Sequence, residues 1–205
     1  MNFLEKEIKE TITEKDRIRG SLYGFFVGDA LGVPVEFLNR EVLLNKPIKS
    51  MEEYGTHNQP KGTWSDDSSM VLATIDSMYG NIQLLLNDDF IDYTDLMFNF
   101  SEWKNKGKYT PEGKVFDIGI STSNAISKFE SNNSNPFCGD DNIKSNGNGS
   151  LMRILPISIF IADADPESVQ HSRLPCNPGH SLAVCGAYDC DEVWYEMKYA
   201  ACHVS

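Results

Sequence analysis

The chain has 205 residues, of which 40% are hydrophobic and 23% charged, and this is the composition of a soluble globular protein with a sizeable core. Its net charge of −12 disfavours a general nucleic-acid-binding surface, because phosphate neutralisation needs a basic patch. The N-terminus alternates charges, and no segment holds 18 uninterrupted apolar residues. We therefore expect neither a signal peptide nor a membrane anchor, no membrane partner, and a cytoplasmic location.

Helical spacing of apolar residues predicts an all-α fold, with a single domain over residues 1–205. The predicted helices are 14–31, 66–79, 88–105, 117–130, 150–162 and 181–201. Clusters of turn-forming residues predict loops at 45–50, 55–64, 106–114 and 130–149.

The first predicted helix carries a glycine at every fourth position, and each glycine costs about 1 kcal/mol relative to alanine inside a helix. Close approach of another helix along this stripe is the expected compensation. The stripe consists of Gly20, Gly24, Gly28 and Gly32. Gly32 and Pro34 are a stop signal, which leaves Glu36 in a loop just beyond the helix.

The sequence WSDDSSM places adjacent carboxylates at the start of the second helix. One interpretation is helix capping, with Ser65 as the N-cap and Asp66 and Asp67 in the first turn, where the helix dipole favours acids. The other is a cation site. Adjacent first-turn carboxylates project about 100° apart, and a hard divalent ion such as Mg²⁺ or Mn²⁺ would draw them and the hydroxyl together.

Two further segments combine glycine with polar residues at helix starts. In FDIGIST, Asp117 opens the predicted helix 117–130, either as an N-cap or as a functional group, and Gly119 leaves space beside it. In SNGNGSLMRILP, glycines alternate with asparagines, which predicts either a flexible capped turn or a phosphate site made of backbone N–H groups. Arg153 is expected to form a structural salt bridge.

Together these segments resemble the ADP-ribosylglycohydrolase family over roughly residues 17–160. The resemblance lies in GSLYGFFVGDALGVPVEF, GTWSDDSSMVLA, YTPEGKVFDIGISTSNAI, CGDD and SNGNGSLMRILPI, in this order. It implies an all-α fold and metal-dependent hydrolysis of the N- or O-glycosidic bond that links ADP-ribose to a protein side chain or small acceptor. It also implies a pair of Mg²⁺ or Mn²⁺ ions.

The resemblance assigns roles to individual residues. Ser65, Asp66 and Asp67 match the family's Thr-Asp-Asp metal ligands, and serine keeps the hydroxyl of threonine. Glu36 matches an acidic residue that closes over the substrate, so that Glu36 and Asp67 are the candidate catalytic residues. The candidate substrate-binding residues are Asp117 and Gly119 beside the distal ribose, and Ser145, Asn146 and Gly147 around the diphosphate.

The composition changes after residue 163, and the family's C-terminal Asp-x-Asp-Thr ligands are not found there. Asp189 and Asp191 match the Asp-x-Asp part of that motif only weakly. The missing motif and the changed composition favour a frameshifted or truncated copy of the family. Four of the five cysteines lie in this region without a C-x-x-C pair, which favours free thiols over zinc. The alternative to an enzyme is an inactive remnant that binds ADP-ribose or a cation weakly, with marginal stability or self-association. An unrelated helical protein that merely caps its helices with acids is a third possibility.

Overall fold

The computed structural model describes residues 12–81, 91–131, 135–139 and 148–161. The chain divides into two compact units, Met1–Trp64 and Ser65–Ser205. Within the described ranges the regular secondary structure is helical, with no strand, as the sequence predicts. None of the helices in these ranges combines the length and apolar character that crossing a bilayer requires. The predicted helix 181–201 and the residues Ser145, Asn146 and Gly147 lie outside the described residues.

Helix α1 of the first unit spans Glu14–Gly32, which confirms the predicted helix 14–31. A capping box fixes its start: Thr13 Oγ1 accepts from the Asp16 backbone N–H at 3.2 Å, and Asp16 Oδ2 accepts from the Thr13 N–H at 3.1 Å. At the other end the chain passes through a 3₁₀ turn, Val33–Val35, before Glu36 becomes extended. The α-helix therefore ends at Gly32, as the sequence predicts, and the 3₁₀ turn separates it from Glu36.

The predicted close contact along the glycine stripe of α1 is not made among residues 12–64, the described part of the first unit. None of these residues outside the helix's own backbone lies within 4 Å of a Cβ placed on Gly20, Gly24, Gly28 or Gly32. The unit's second helix, α2, spans Arg40–Asn45 and is too short to cover a four-turn stripe. It was not predicted because six residues are too few to show a helical period.

The second unit is built around helix α3, which spans Asp66–Gly80 as predicted for 66–79. Helix α4, Tyr93–Lys106, packs against α3, and α5, Ile120–Ser131, packs against α4. A 3₁₀ turn, Asn148–Arg153, and the short helix α6, Leu155–Ile161, also pack against α3. Their shared core contains Met70, Leu96, Met97, Phe100, Trp103, Ile126 and Phe129.

Three predicted helix starts in the second unit are wrong, each for a local reason. Helix α4 begins at Tyr93 rather than 88, because Asp92 Oδ1 accepts from the N–H groups of Thr94 and Asp95. Helix α5 begins at Ile120 rather than 117. The predicted helix 150–162 is divided, because Pro156 has no N–H to donate and suits only the first turn of an α-helix.

Cys138 is a free, buried cysteine, as the composition predicts for this chain. Its thiol donates to the Ala125 carbonyl at 3.1 Å. Burial raises the pKa of this thiol, so that it stays protonated and behaves as a small apolar side chain. The other four cysteines lie outside the described residues.

The loop after α4 is tied to α3 through Asp76. Its carboxylate accepts from the Tyr109 hydroxyl at 2.6 Å and from Lys108 Nζ at 3.0 Å. Burial and, second to it, the hydrogen bond to Asp76 raise the pKa of Tyr109 from its ordinary value of 10.0 to about 12. The neutral phenol is therefore the form that the folded chain favours.

We expect this tie to weaken at high pH. A phenol whose pKa is raised on folding contributes its full stability below pH 10 and loses it as the pH rises from about 10 to about 12. The difference in phenolate absorbance between wild type and Tyr109→Phe should give the midpoint of Tyr109, and Asp76→Asn should lower it. A Tyr109 midpoint at its ordinary value in the folded wild type would contradict this prediction.

Candidate functional site

The N-terminus of α3 holds the three predicted metal ligands in consecutive positions. Ser65 is the N-cap, and its Oγ accepts from the Asp67 N–H at 3.3 Å. Asp66 and Asp67 occupy the first turn. Ser65 and Asp66 are buried, with only 7% and 9% of their surface exposed, and Asp67 is half-buried. The capping interpretation is therefore confirmed.

The same geometry fits a divalent cation. The hydroxyl and the two carboxylates are hard oxygen donors, which Mg²⁺ and Mn²⁺ prefer. Capping and coordination do not exclude each other, because a hydroxyl oxygen has two lone pairs.

Asp117 does not cap α5, although the sequence predicts that it opens this helix. Its φ is 51°, in the left-handed region, and the first helical residue is Ile120. The carbonyl of Gly119, rather than that of Asp117, accepts the bond from the Ser123 N–H at 2.9 Å. Aspartate is among the few non-glycine residues that adopt this conformation routinely, and such strain is common at functional sites.

Gly119 and Gly149 lie against the same side chain. A Cβ on Gly149 would stand 3.3 Å from Thr122 Oγ1, and a Cβ on Gly119 would stand 3.7 Å from it. Thr122 is buried, with 9% exposed. The start of α5 and the 3₁₀ turn thus meet at this hydroxyl, which the sequence analysis did not single out, since a threonine inside a helix carries no local signal.

Arg153 anchors the 3₁₀ turn to the core. Its side chain is buried, with the guanidinium 5.2 Å from the centre of the Phe100 ring. Its Nη1 donates to Met70 Sδ at 3.6 Å. Arginine stacks well on aromatic rings because its charge is delocalised and weakly hydrated. The expected salt bridge of Arg153 stays a prediction, and its position in the core agrees with a structural role.

In the first unit, Glu36 contacts a histidine that the sequence analysis also missed. His57 Nε2 lies 2.7 Å from Glu36 Oε2. Glu36 follows the 3₁₀ turn with φ −54° and ψ 145°, in the loop that the sequence predicts. His57 stands 21 positions later in a loop of turn formers, so no periodicity or short motif links the two residues.

Comparison with known proteins gives one consistent result. The ADP-ribosylglycohydrolase family model matches residues 10–188. The chain is 30% identical to ADP-ribosylarginine hydrolase Tri1 of Serratia proteamaculans, over 83% of this chain and 44% of that protein. It is 27% identical to the ADP-ribosyl-[dinitrogen reductase] glycohydrolase of Rhodospirillum rubrum, over 83% of this chain and 54% of that protein.

A solved structure described as an ADP-ribosylglycohydrolase-related protein complex superposes with a TM-score of 0.63 at 25% identity. The match covers 92% of this chain and 54% of that one. The chain spans about half the length of the curated relatives it matches. The helical fold of the described residues agrees with this likeness.

The contact at Thr122 generates a prediction about the two glycines. We expect Gly149→Ala to destabilise the protein by about 1 kcal/mol more than Gly119→Ala, because the tighter contact forces a buried side chain to move. Urea unfolding measures both. Thr122→Ala should remove most of the difference, since it creates the missing space. Equal effects of the two substitutions would show that the 3₁₀ turn is not held against α5.

Proposed function

Because the chain belongs to the ADP-ribosylglycohydrolase family, we propose that it hydrolyses the glycosidic bond that joins ADP-ribose to an arginine side chain. The observation that carries this proposal is the group formed by Ser65, Asp66 and Asp67 at the buried start of α3. The arginine acceptor is supported by two relatives, from Serratia proteamaculans and Pseudomonas putida, that are ADP-ribosylarginine hydrolases.

In this reaction a water oxygen forms a bond to the anomeric carbon of the ribose, and the bond from that carbon to the guanidine nitrogen breaks. One proton of the water ends on the leaving nitrogen and the other stays on the new hydroxyl, so the products are ADP-ribose and arginine. We assign Asp67 to accept the proton from the attacking water. Asp67 is half-buried rather than buried, and it lies in the first turn of α3.

Ser65, Asp66 and Asp67 would hold Mg²⁺ or Mn²⁺. When bound, such an ion supplies Lewis acidity and offsets the charge of a diphosphate. A positive group at this position would also explain how a chain with a net charge of −12 accepts an anionic substrate. The triplet is part of the ligand set expected for two ions.

Substrate binding is assigned to the segments around Thr122 and to Glu36. Asp117 and Gly119 are proposed to contact the distal ribose, and the backbone of Ser145, Asn146 and Gly147 the diphosphate. The left-handed backbone of Asp117 supports this, because non-glycine residues held in that conformation cluster at functional sites. Glu36, whose side chain is 37% exposed, is proposed to contact the substrate from its loop.

A second candidate function is binding of ADP-ribose and a cation without turnover. Residues 163–205 contain no Asp-x-Asp-Thr sequence to complete the expected metal ligands. The two candidates agree on ligand and cation binding and differ only in whether ADP-ribose is released.

The test is release of ADP-ribose from an ADP-ribosylarginine peptide with Mg²⁺ or Mn²⁺. We expect hydrolysis that EDTA abolishes and that Asp67→Asn lowers by about 100-fold or more, since this carboxylate both binds the ion and takes the proton. Calorimetric titration with Mn²⁺ should show binding that is lost in the double variant Asp66→Asn, Asp67→Asn.

Asp76→Asn is the matched control, because it removes an exposed carboxylate from the same helix. It should leave Mn²⁺ binding and hydrolysis unchanged. Binding of Mn²⁺ without hydrolysis would favour the second candidate. Unchanged Mn²⁺ binding in the double variant would refute the metal assignment and leave only a helix cap at this position.

A further inference from the structure

The carboxylate of Glu36 contacts the imidazole of His57, and the His57 side chain is the more buried of the two. His57 Nε2 lies 2.7 Å from Glu36 Oε2, and the two side chains are 14% and 37% exposed. The imidazole thus has a defined position within the first unit, whereas the carboxylate reaches solvent. A glutamate has three side-chain torsions, and a bond to a well-packed ring reduces the positions that its carboxylate samples.

The backbone around the two residues is joined by two hydrogen bonds and by one close approach. The Thr56 N–H donates to the Pro34 carbonyl at 3.0 Å, and Thr56 Oγ1 donates to the Glu36 carbonyl at 2.7 Å. A side chain at Gly55 would collide with the Pro34 carbonyl, so this approach requires glycine. Residues 33–37 and 54–57 therefore form one connected piece, which we call the Glu36 clip.

His57 also makes an aromatic contact, with Phe37. The rings of Phe37 and His57 are 5.9 Å apart, centre to centre. Phe37 has a φ of 60°, a conformation that a bulky residue adopts only when its surroundings impose it. Phe37 is 78% exposed, so burial of its own ring does not account for this backbone. The turn instead brings two consecutive residues, Glu36 and Phe37, into contact with the imidazole.

We propose that His57 is a positioning residue for Glu36, holding its carboxylate in the orientation used toward the ADP-ribosyl substrate. This inference rests on the proposed function, because it needs Glu36 to meet substrate. The ionised carboxylate accepts from the Nε2–H of the ring. A displacement of about 1 Å in a catalytic group can cost about 100-fold in rate, so a side chain that fixes Glu36 affects turnover without touching the reacting atoms.

The experiment compares His57→Leu with His57→Gln in the full chain. Leucine keeps an apolar side chain but removes the donor, and glutamine keeps an N–H that can reach the carboxylate. On ADP-ribosylarginine peptide we expect His57→Leu to lower kcat by about 10- to 100-fold with a smaller change in KM. His57→Gln should restore a large part of kcat, which a purely structural role would not predict.

The same substitutions in a Glu36→Gln background show whether His57 affects kcat through Glu36. If His57 acts through Glu36, His57→Leu has little further effect on kcat in this background. A wild-type kcat in His57→Leu, or the same loss in both backgrounds, overturns the proposal. Circular dichroism and melting temperature show that each variant is folded. Thr56→Val, which removes the Oγ1 bond to the Glu36 carbonyl but leaves both side chains, is the control for loop disruption.

If the wild-type chain hydrolyses no substrate, the proposed function fails. The role of His57 toward Glu36 can then still be tested by stability measurements. The melting temperatures of Glu36→Gln, His57→Leu and the double variant then measure the coupling of the two side chains. Non-additive shifts support His57 as the partner that fixes Glu36. Additive shifts overturn it, since side chains that do not interact contribute independently.

Discussion

The second unit depends on one helix that is acidic at its start and buried over much of its length. Asp66 is buried at the first turn of α3, and Met70, Val71 and Ala73 are buried in the turns that follow. Helix α4, the 3₁₀ turn and α6 all pack on α3. A carboxylate can be held in such a place because the helix N-terminus presents unpaired N–H groups and a partial positive charge. The core thus fixes the direction in which the acidic residues project.

The buried serines of α3 show how this helix tolerates polarity in its interior. Ser68, Ser69 and Ser77 are almost fully buried. Ser69 Oγ donates to the Ser65 carbonyl at 2.7 Å, and Ser77 Oγ donates to the Asp95 carboxylate at 2.6 Å. Small side chains that satisfy their hydroxyls locally allow neighbouring segments to come close. The helix start is therefore set in a closely packed environment and has little freedom to rearrange.

Features that depend on neighbouring residues along the chain, such as helix caps and short motifs, could be predicted from the sequence. The bounds of α1 and α3 follow from caps and periodicity within a few residues, and the family resemblance follows from short motifs in a fixed order. The predicted start of α5 was wrong. An aspartate before a helical pattern is typical of an N-cap, and the sequence does not show that Asp117 instead adopts a left-handed conformation. The glycine stripe of α1 predicted a helix contact that is not found among the described residues of the first unit. Glu36 and His57 could not be paired, since 21 residues separate them and only the folded loops bring them together.

The acidic start of α3 shows why a capping interpretation does not weaken a functional one. Ser65 uses one lone pair to accept from the Asp67 N–H, and this bond fixes the direction of its hydroxyl. Asp67 is in turn fixed through its backbone N–H, and the residue as a whole is half-buried. Residues whose backbone is already fixed by a helix cap have less conformational entropy to lose when a ligand binds. The bonds that make these residues a good helix start are therefore the bonds that would preorganise them as ligands.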